Sequence, residues 1–281
     1  MSSHLLEVIA NMNSLVDTLS QVLIIAYKEP TQQLEEYLTK EGFECLVIRQ
    51  EDKPEYQQFS PSYRCMLNHC QAWEIATQQS QPSLIVEADF VPVLEFGQLP
   101  LPFDKELPNL GITWIYTCSP QVYWVSPEGY AEGFSVGTVA YIVSPKAAEL
   151  LIKFSEKITE TTQGKTYSTW DSEIDTFLRS HNLQNFIPFR NYGEHGGLAN
   201  PEHRKHGLSP GHQADVLWGE IAFDPLYTQA YNPQLIRAKA RIKGILRLLA
   251  GYFVRIKTLR NSRVPWRLIS FSFGRQLTLR L

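Results

Sequence analysis

The sequence predicts an α/β fold built on a mostly parallel central sheet, and three observations predict it. Val22-Leu23-Ile24-Ile25-Ala26-Tyr27 is an unbroken apolar run, as a strand buried on both faces requires. After Pro30 and Thr31, residues 32–40 read as a helix, Gly42 stops it, and residues 45–48 read as a second strand. Ser83-Leu84-Ile85-Val86 then repeats the buried-strand pattern after another helical stretch. Strands alternating with helices in this way favour a parallel sheet.

The other elements follow in order. Residues 1–20 read as a short amphipathic helix with Leu5, Ile9, Met12 and Leu15 on one side. Ser60-Pro61 pairs a capping residue with proline at the first helical position, opening a helix to about Gln79 with Met66, Cys70, Trp73 and Thr77 as its buried stripe. Beyond a proline-rich connection, residues 112–116, 122–125 and 136–143 read as strands, the last interrupted by Gly137. Ser144-Pro145 opens a second capped helix, residues 170–179 form another, and residues 190–215 read as a long loop rich in Gly, His, Pro and Asn.

Composition narrows the function. Hydrophobic residues at 43% and charged residues at 20% describe an ordinary folded protein, neither disordered nor repetitive. The four cysteines show no paired spacing, so reduced thiols are expected. Cys65, His69 and Cys70 lie close together, but no second Cys/His pair follows at usable spacing, which argues against structural zinc. The N-terminus lacks a basic region followed by a clean apolar core, and no run reaches the ~20 apolar residues that cross a bilayer. A cytoplasmic protein, able to sit peripherally on the inner face of a membrane, is the expectation.

Glu87 and Asp89 end the 83–86 strand, where open α/β sheets place their ligand crevice. Two carboxylates there can hold Mg²⁺ or Mn²⁺ against a diphosphate, because such hard cations prefer oxygen ligands shared with phosphate. A polar strand end facing water is the plainer alternative. The surrounding residues add specificity. Cys65-Met66-Leu67-Asn68-His69, then Trp73, then Leu84-Ile85-Val86-Glu87-Ala88-Asp89-Phe90 resembles the signature of glycosyltransferase family 25, the lipopolysaccharide-type galactosyltransferase family. Gly137-Thr138-Val139-Ala140-Tyr141-Ile142-Val143-Ser144 resembles its second block, and Trp170-Asp171 stands where the family carries an Asp before a short helix. The likeness covers roughly residues 22–200. The chain departs from the pattern at Asn68 (usually Ser), at Ala88 (the middle acid) and at Lys28-Glu29-Pro30, where the family has Asp-Arg.

The resemblance implies a GT-A-like nucleotide-sugar-binding fold over residues 21–230. It also implies a UDP-sugar donor, a Mn²⁺ or Mg²⁺ cofactor at Glu87 and Asp89, and transfer of a hexose with inversion onto a glycan or lipid-linked glycan. Inversion needs a general base for the acceptor hydroxyl. Asp171 is the first candidate, Asp175 lies one turn along on the same face, and Glu194 is the third; for Asp171 a helix N-cap is an equal alternative. Asn68, His69, Gly137 and Tyr141 are candidate donor contacts. His69 also reads as a hydrogen-bonded core residue, Gly137 as a bulge and Tyr141 as core packing. In Gly193-Glu194-His195-Gly196-Gly197, a glycine-flanked His195 could reach the metal, and His203, His206, His212, Arg204 and Lys205 would suit the same anion. A solvated mobile loop explains that composition too. A GT-A relic that binds glycan or a partner without turnover, and a peripheral membrane scaffold, are the rival readings.

The last segment, residues 231–281, reads as a basic amphipathic tail. Every Asp and Glu lies at or before Asp224, whereas 12 Lys and Arg fall from Leu235 onward, which leaves 14 bases against all 29 acids in the rest, a net of −15. Ile242, Ile245, Leu246, Leu249, Tyr252, Phe253 and Ile256 form one stripe on a helix expected over residues 235–260. Such a helix fits an anionic membrane surface. Packing on the catalytic body is the alternative, and no motif points to nucleic acid.

Overall fold

The computed structural model describes residues 13–198, 205–207 and 211–277. The expected helix over the first 20 residues therefore lies largely outside the described residues, as do His203 and Arg204; its end is the single turn α1 (Leu15–Thr18).

An eight-stranded mixed sheet forms the centre, in the order β2-β1-β3-β8-β5-β9-β7-β6. Its strands are β1 (Val22–Ala26), β2 (Cys45–Arg49), β3 (Ser83–Glu87), β5 (Leu110–Trp114), β6 (Cys118–Val125), β7 (Ala131–Val136), β8 (Ala140–Val143) and β9 (Gln184–Ile187). The β1–β2, β1–β3 and β5–β9 pairs are parallel, while β8 and β7 run against their neighbours. Every strand except β7 and β8 thus shares one direction, so the sheet is mostly parallel as expected. A small second sheet pairs β4 (Phe90–Pro92) with β10 (Gly193–His195) inside the segment expected to be loop.

The alternation of side chains along each strand divides the interior into two cores. Leu23, Ile25, Ile85, Tyr141 and Val143 face one, together with Met66 and Trp73 of α3 (Pro61–Ala76) and Ala148 and Leu151 of α4 (Pro145–Thr162). Val22, Ile24, Leu84, Val86 and Ile142 face the other, against Leu34 and Leu38 of α2 (Gln32–Lys40). Both Ser-Pro signals act as read: Ser60 Oγ accepts the Tyr63 N–H at 3.2 Å and Ser144 Oγ accepts the Ala147 N–H at 3.1 Å.

Two expectations are corrected. Residues 136–143 are not one strand: Gly137 sits at φ +85°, a conformation that favours glycine, and turns the chain between β7 and β8. Nor is there one helix over 235–260. Helix α6 (Pro233–Leu249) ends in a Schellman motif, with the Gly251 N–H on Leu248 O and the Tyr252 N–H on Arg247 O, and Gly251 at φ +73°. The chain resumes as α7 (Ile256–Asn261) and α8 (Pro265–Leu277), after α5 (Ile174–Ser180) earlier in the chain.

The basic segment is joined to the main core. Phe253, Leu268 and Phe271 pack into the same cluster as β1 and α3. The wholly buried Arg275 donates to Pro188 O (2.8 Å), Phe189 O (3.0 Å), Thr117 Oγ1 (3.0 Å) and Asp215 Oδ1 (2.8 Å). No helix among the described residues is long and apolar enough to cross a membrane.

Candidate active site at the carboxyl ends of strands β1 to β3

The sheet order 2-1-3 makes the β1/β3 edge a topological switch point: the chain leaves β1 to one side for β2, then crosses back for β3. Ligand crevices of open α/β sheets form at the carboxyl ends of strands at such points. A cleft of ≈ 250 Å³ lies there. Its walls come from the end of β1 (Ala26, Tyr27), the residue after β2 (Gln50), the first turns of α3 (Arg64, Cys65, Asn68), and Glu87 and Asp89 at the end of β3. Both acids of the predicted pair therefore face one cleft.

Glu87 is held from behind by a directional chain of hydrogen bonds. Trp73 Nε1–H donates to Tyr141 Oη at 2.8 Å, and Tyr141 Oη lies 2.9 Å from His69 Nδ1. Tyr141 is fully buried and has one proton to place, so it donates to Nδ1 and leaves the proton of His69 on Nε2. Nε2–H then points at Thr138 Oγ1 (3.1 Å) and Glu87 Oε1 (3.4 Å), and Thr138 donates to Glu87 Oε1 at 3.2 Å. His69 and Tyr141 thus lie behind the acid pair rather than in the cleft. Burial pushes the Tyr141 phenol well above its usual range, so it stays a neutral donor.

Asp89 has a different partner. His195 Nε2 lies 3.1 Å from Asp89 Oδ2, and the Gly196 N–H donates to Asp89 O at 2.7 Å. Burial alone would lower the His195 pKa, but the Asp89 carboxylate, with Glu87 and Glu194 behind it, outweighs that and raises it to about 9. Conversely, burial opposes ionisation of Asp89, yet His195 holds its carboxyl below the usual range. The glycines around His195 have a packing cause. A Cβ on Gly197 would lie 2.3 Å from Asp89 Oδ2, and one on Gly193 would lie 2.3 Å from the Phe90 ring. The loop closes tightly over the acid turn, and side chains there would hold it off.

Glu194 points away from the cleft into the core and is fully buried. One of its oxygens accepts the N–H groups of His195 (2.9 Å) and Ala214 (2.8 Å), and burial still pushes its carboxyl up to about 7. Asp175 is also buried away from the cleft: Asn185 Nδ2 donates to one oxygen at 2.9 Å and Tyr123 Oη to the other at 3.1 Å. Asp171 sits on a 3-10 turn (Trp170–Ser172) and accepts the Gly137 N–H at 3.0 Å. The space a Gly137 Cβ would occupy is open. The charge of Asp171 reaches Cys65 on the cleft wall: burial first, then the carboxylates of Glu87, Asp171 and Asp89, push that thiol well above its usual range.

Three buried polar atoms on the cleft wall have no protein partner: Arg64 Nε, Asn68 Oδ1 and Asp89 Oδ1. Asn68 Nδ2 is anchored on Ala26 O at 3.0 Å, which aims the amide. A buried unmet donor or acceptor costs about 1–3 kcal/mol unless a ligand or water satisfies it. Arg64 was not picked out from the sequence, although Pro61, Arg64, Cys65 and Asn68 fall at i, i+3, i+4 and i+7, one helical stripe beside the apolar one. Cys65, His69 and Glu87 also bring one potential metal-ligand atom each within 4.8 Å of one another.

No protein-family model matches the sequence, and no curated protein matches it. Among solved structures, the chain is similar to a glycosyltransferase involved in glycosylation of the major capsid of PBCV-1. The two share 14% identity over 59% of this chain and 80% of that one, with a TM-score of 0.40. It is also similar to a mutant of the Drosophila β-1,4-galactosyltransferase 7 in complex with manganese, UDP-Gal and xylobiose. There the identity is 12% over 66% of this chain and 74% of that one, with a TM-score of 0.33.

Proposed function

We propose that this protein is a glycosyltransferase of the GT-A type that moves a hexose from a UDP-sugar to a glycan or lipid-linked glycan, with divalent metal and with inversion. The observation that carries the reading is the cleft at the β1/β3 switch point, where Glu87 and Asp89 meet unmet polar atoms of Arg64, Asn68 and Asp89. The family resemblance of the 65–90, 137–144 and 170–171 segments supports it independently.

The residues present suit a hard cation. Glu87 and the unpartnered Oδ1 of Asp89 offer oxygen ligands, and the Trp73–Tyr141–His69–Thr138 chain keeps Glu87 an acceptor. Bound there, Mn²⁺ or Mg²⁺ supplies charge neutralisation for the departing diphosphate. The Cys65–His69–Glu87 group suits a metal less well. The Cys65 thiol keeps its proton, and His69 has both nitrogens committed to the chain. His195, as a cation, acts as counter-charge to Asp89 and not as a ligand.

Arg64 is placed to donate to the diphosphate, and the Asn68 amide to accept from the donor sugar or nucleoside. The acceptor hydroxyl attacks the anomeric carbon and the carbon–oxygen bond to UDP breaks. The hydroxyl proton passes to a carboxylate, and our candidate for it is Asp171, supported by its position beside the open face of Gly137, whereas Asp175 and Glu194 are enclosed in the core.

The test is UDP release by the purified full chain across a panel of UDP-hexoses, with Mn²⁺, with Mg²⁺ and with chelator. Metal-dependent release that falls at least ~100-fold in Glu87→Gln is expected, the usual scale for losing an electrostatic stabiliser. Glycan binding without release from any donor would replace the enzyme by a binding module, the reading that Ala88 in place of the middle acid favours.

A further inference from the structure

The C-terminal helices present a face that the fold leaves uncovered. Helix α6 turns Ala240, Gly244 and Leu248 inward, at i, i+4 and i+8. Gly244 permits that approach, since a Cβ there would meet Gln276 Oε1 at 2.8 Å and Asp215 Cβ at 2.9 Å. The larger apolar residues point out: Ile242, Leu246, Leu249, Tyr252, Ile256 and Trp266 are each more than half exposed. A groove of ≈ 430 Å³ runs between Ile242, Leu246 and Tyr252, rimmed by Lys239, Lys243 and Arg247. Further along, Arg255, Lys257, Arg260 and Arg263 are exposed as well. No acid follows Asp224.

We infer that this face of α6, α7 and the start of α8 docks on the surface of an anionic phospholipid bilayer, with the groove seating against lipid and the bases against phosphate headgroups. Charge decides the occupant. A face with exposed leucine, isoleucine, tyrosine and tryptophan, several bases and no acid matches a negatively charged interface of apolar depth. The arrangement is also rigid, because Arg275, Phe253 and Phe271 fix the helices to the core, so docking orients the whole domain. The charges of the same helix reach buried groups of the core: Arg237 acts on Glu194, and Lys243 and Arg247 act on Cys118. The inference does not depend on the catalytic reading, and vesicle binding is measured without a sugar donor.

The experiment is flotation of the full chain with phosphatidylcholine vesicles and with phosphatidylcholine vesicles containing phosphatidylglycerol, alongside sedimentation equilibrium without lipid. Binding to the anionic vesicles alone is expected, weakening as salt rises from about 0.1 M to about 1 M and the screening length falls from about 10 Å to about 3 Å. Lys239→Gln with Lys243→Gln should lower partitioning about 25-fold, about fivefold per base. Leu246→Glu with Leu249→Glu should abolish it; should that variant unfold, the milder Ile242→Gln with Ile256→Gln replaces it. Equal binding to neutral vesicles, binding unaffected by these substitutions, or no vesicle binding but a self-associated state that Leu246→Glu with Leu249→Glu dissolves would each overturn the inference.

Discussion

Replacing His195 by Gln tests the Asp89–His195 pair through stability. Glutamine keeps a polar group of similar reach and removes the positive charge. The pKa of His195 rises from 6.5 to about 9 in the folded protein, and at 1.36 kcal/mol per unit that corresponds to about 3 kcal/mol of charge-dependent stabilisation. Both side chains are less than a quarter exposed, so solvent screening removes little of it. Because the folded value lies above the unfolded one, the stabilisation is complete below about pH 6.5 and fades as pH rises through about 9. The lowered pKa of Asp89 describes the same contact from the other side, lost as pH falls below the carboxylate range, and adds no second contribution. Glu194, raised to about 7 by burial, changes stability in the same direction: its ionisation weakens the fold as pH climbs to that value, and because the His195 charge lowers its pKa, the loss is somewhat larger in the variant. The assay is urea unfolding of both proteins from about pH 6 to about pH 10, read as the difference between them. A gap of about 3 kcal/mol at the acid end, shrinking toward zero at the alkaline end, is expected. A gap that stays constant with pH would mean that packing, not charge, holds His195 to the acid turn.

Other expectations follow from the same geometry. Arg275→Leu takes the buried guanidinium from the part-buried Asp215 and frees two carbonyl groups, so urea unfolding should show a loss of about 3 kcal/mol, the low end of the range for breaking a buried ion pair because Asp215 keeps some exposure; a loss below about 1 kcal/mol would show that α8 is dispensable to the fold. Gly197→Ala puts a methyl group 2.3 Å from Asp89 Oδ2 and should push the 193–197 loop off the acid turn. Its signature is a return of the His195 pKa, followed by NMR, from about 9 toward 6.5; an unchanged titration would contradict the close approach.

The parts of the fold legible in the sequence are those encoded locally. Strands β1 and β3 are continuous apolar runs, two helices open on Ser-Pro caps, and the position of Glu87 and Asp89 at a strand end follows from the run before them. What distant segments assemble was not legible. His195 meets Asp89 across 106 positions, Arg275 meets Thr117 across 158, and His69 meets Tyr141 across 72; no spacing rule reports such pairs. The short strands β9 and β10 carry Gln, Asn, Glu and His, and long-range pairing outweighs their weak propensity. One miss had a local signal: Ala250-Gly251 is a helix-stop pair, and the apolar period that continues through Tyr252 and Phe253 hides it. The apolar tail stripe is real as a surface. The inward face is made by the small residues Ala240 and Gly244, which hydrophobicity alone would not choose over Leu246.

Calorimetric titration of UDP into the full chain, with Mn²⁺ and then with chelator, reaches the acid-lined cleft directly. The account predicts that UDP binds at least ~10-fold more tightly with Mn²⁺, and that Glu87→Gln and Asp89→Asn each erase that gain while thermal stability stays near wild type. UDP affinity indifferent to the metal and to both substitutions would contradict it.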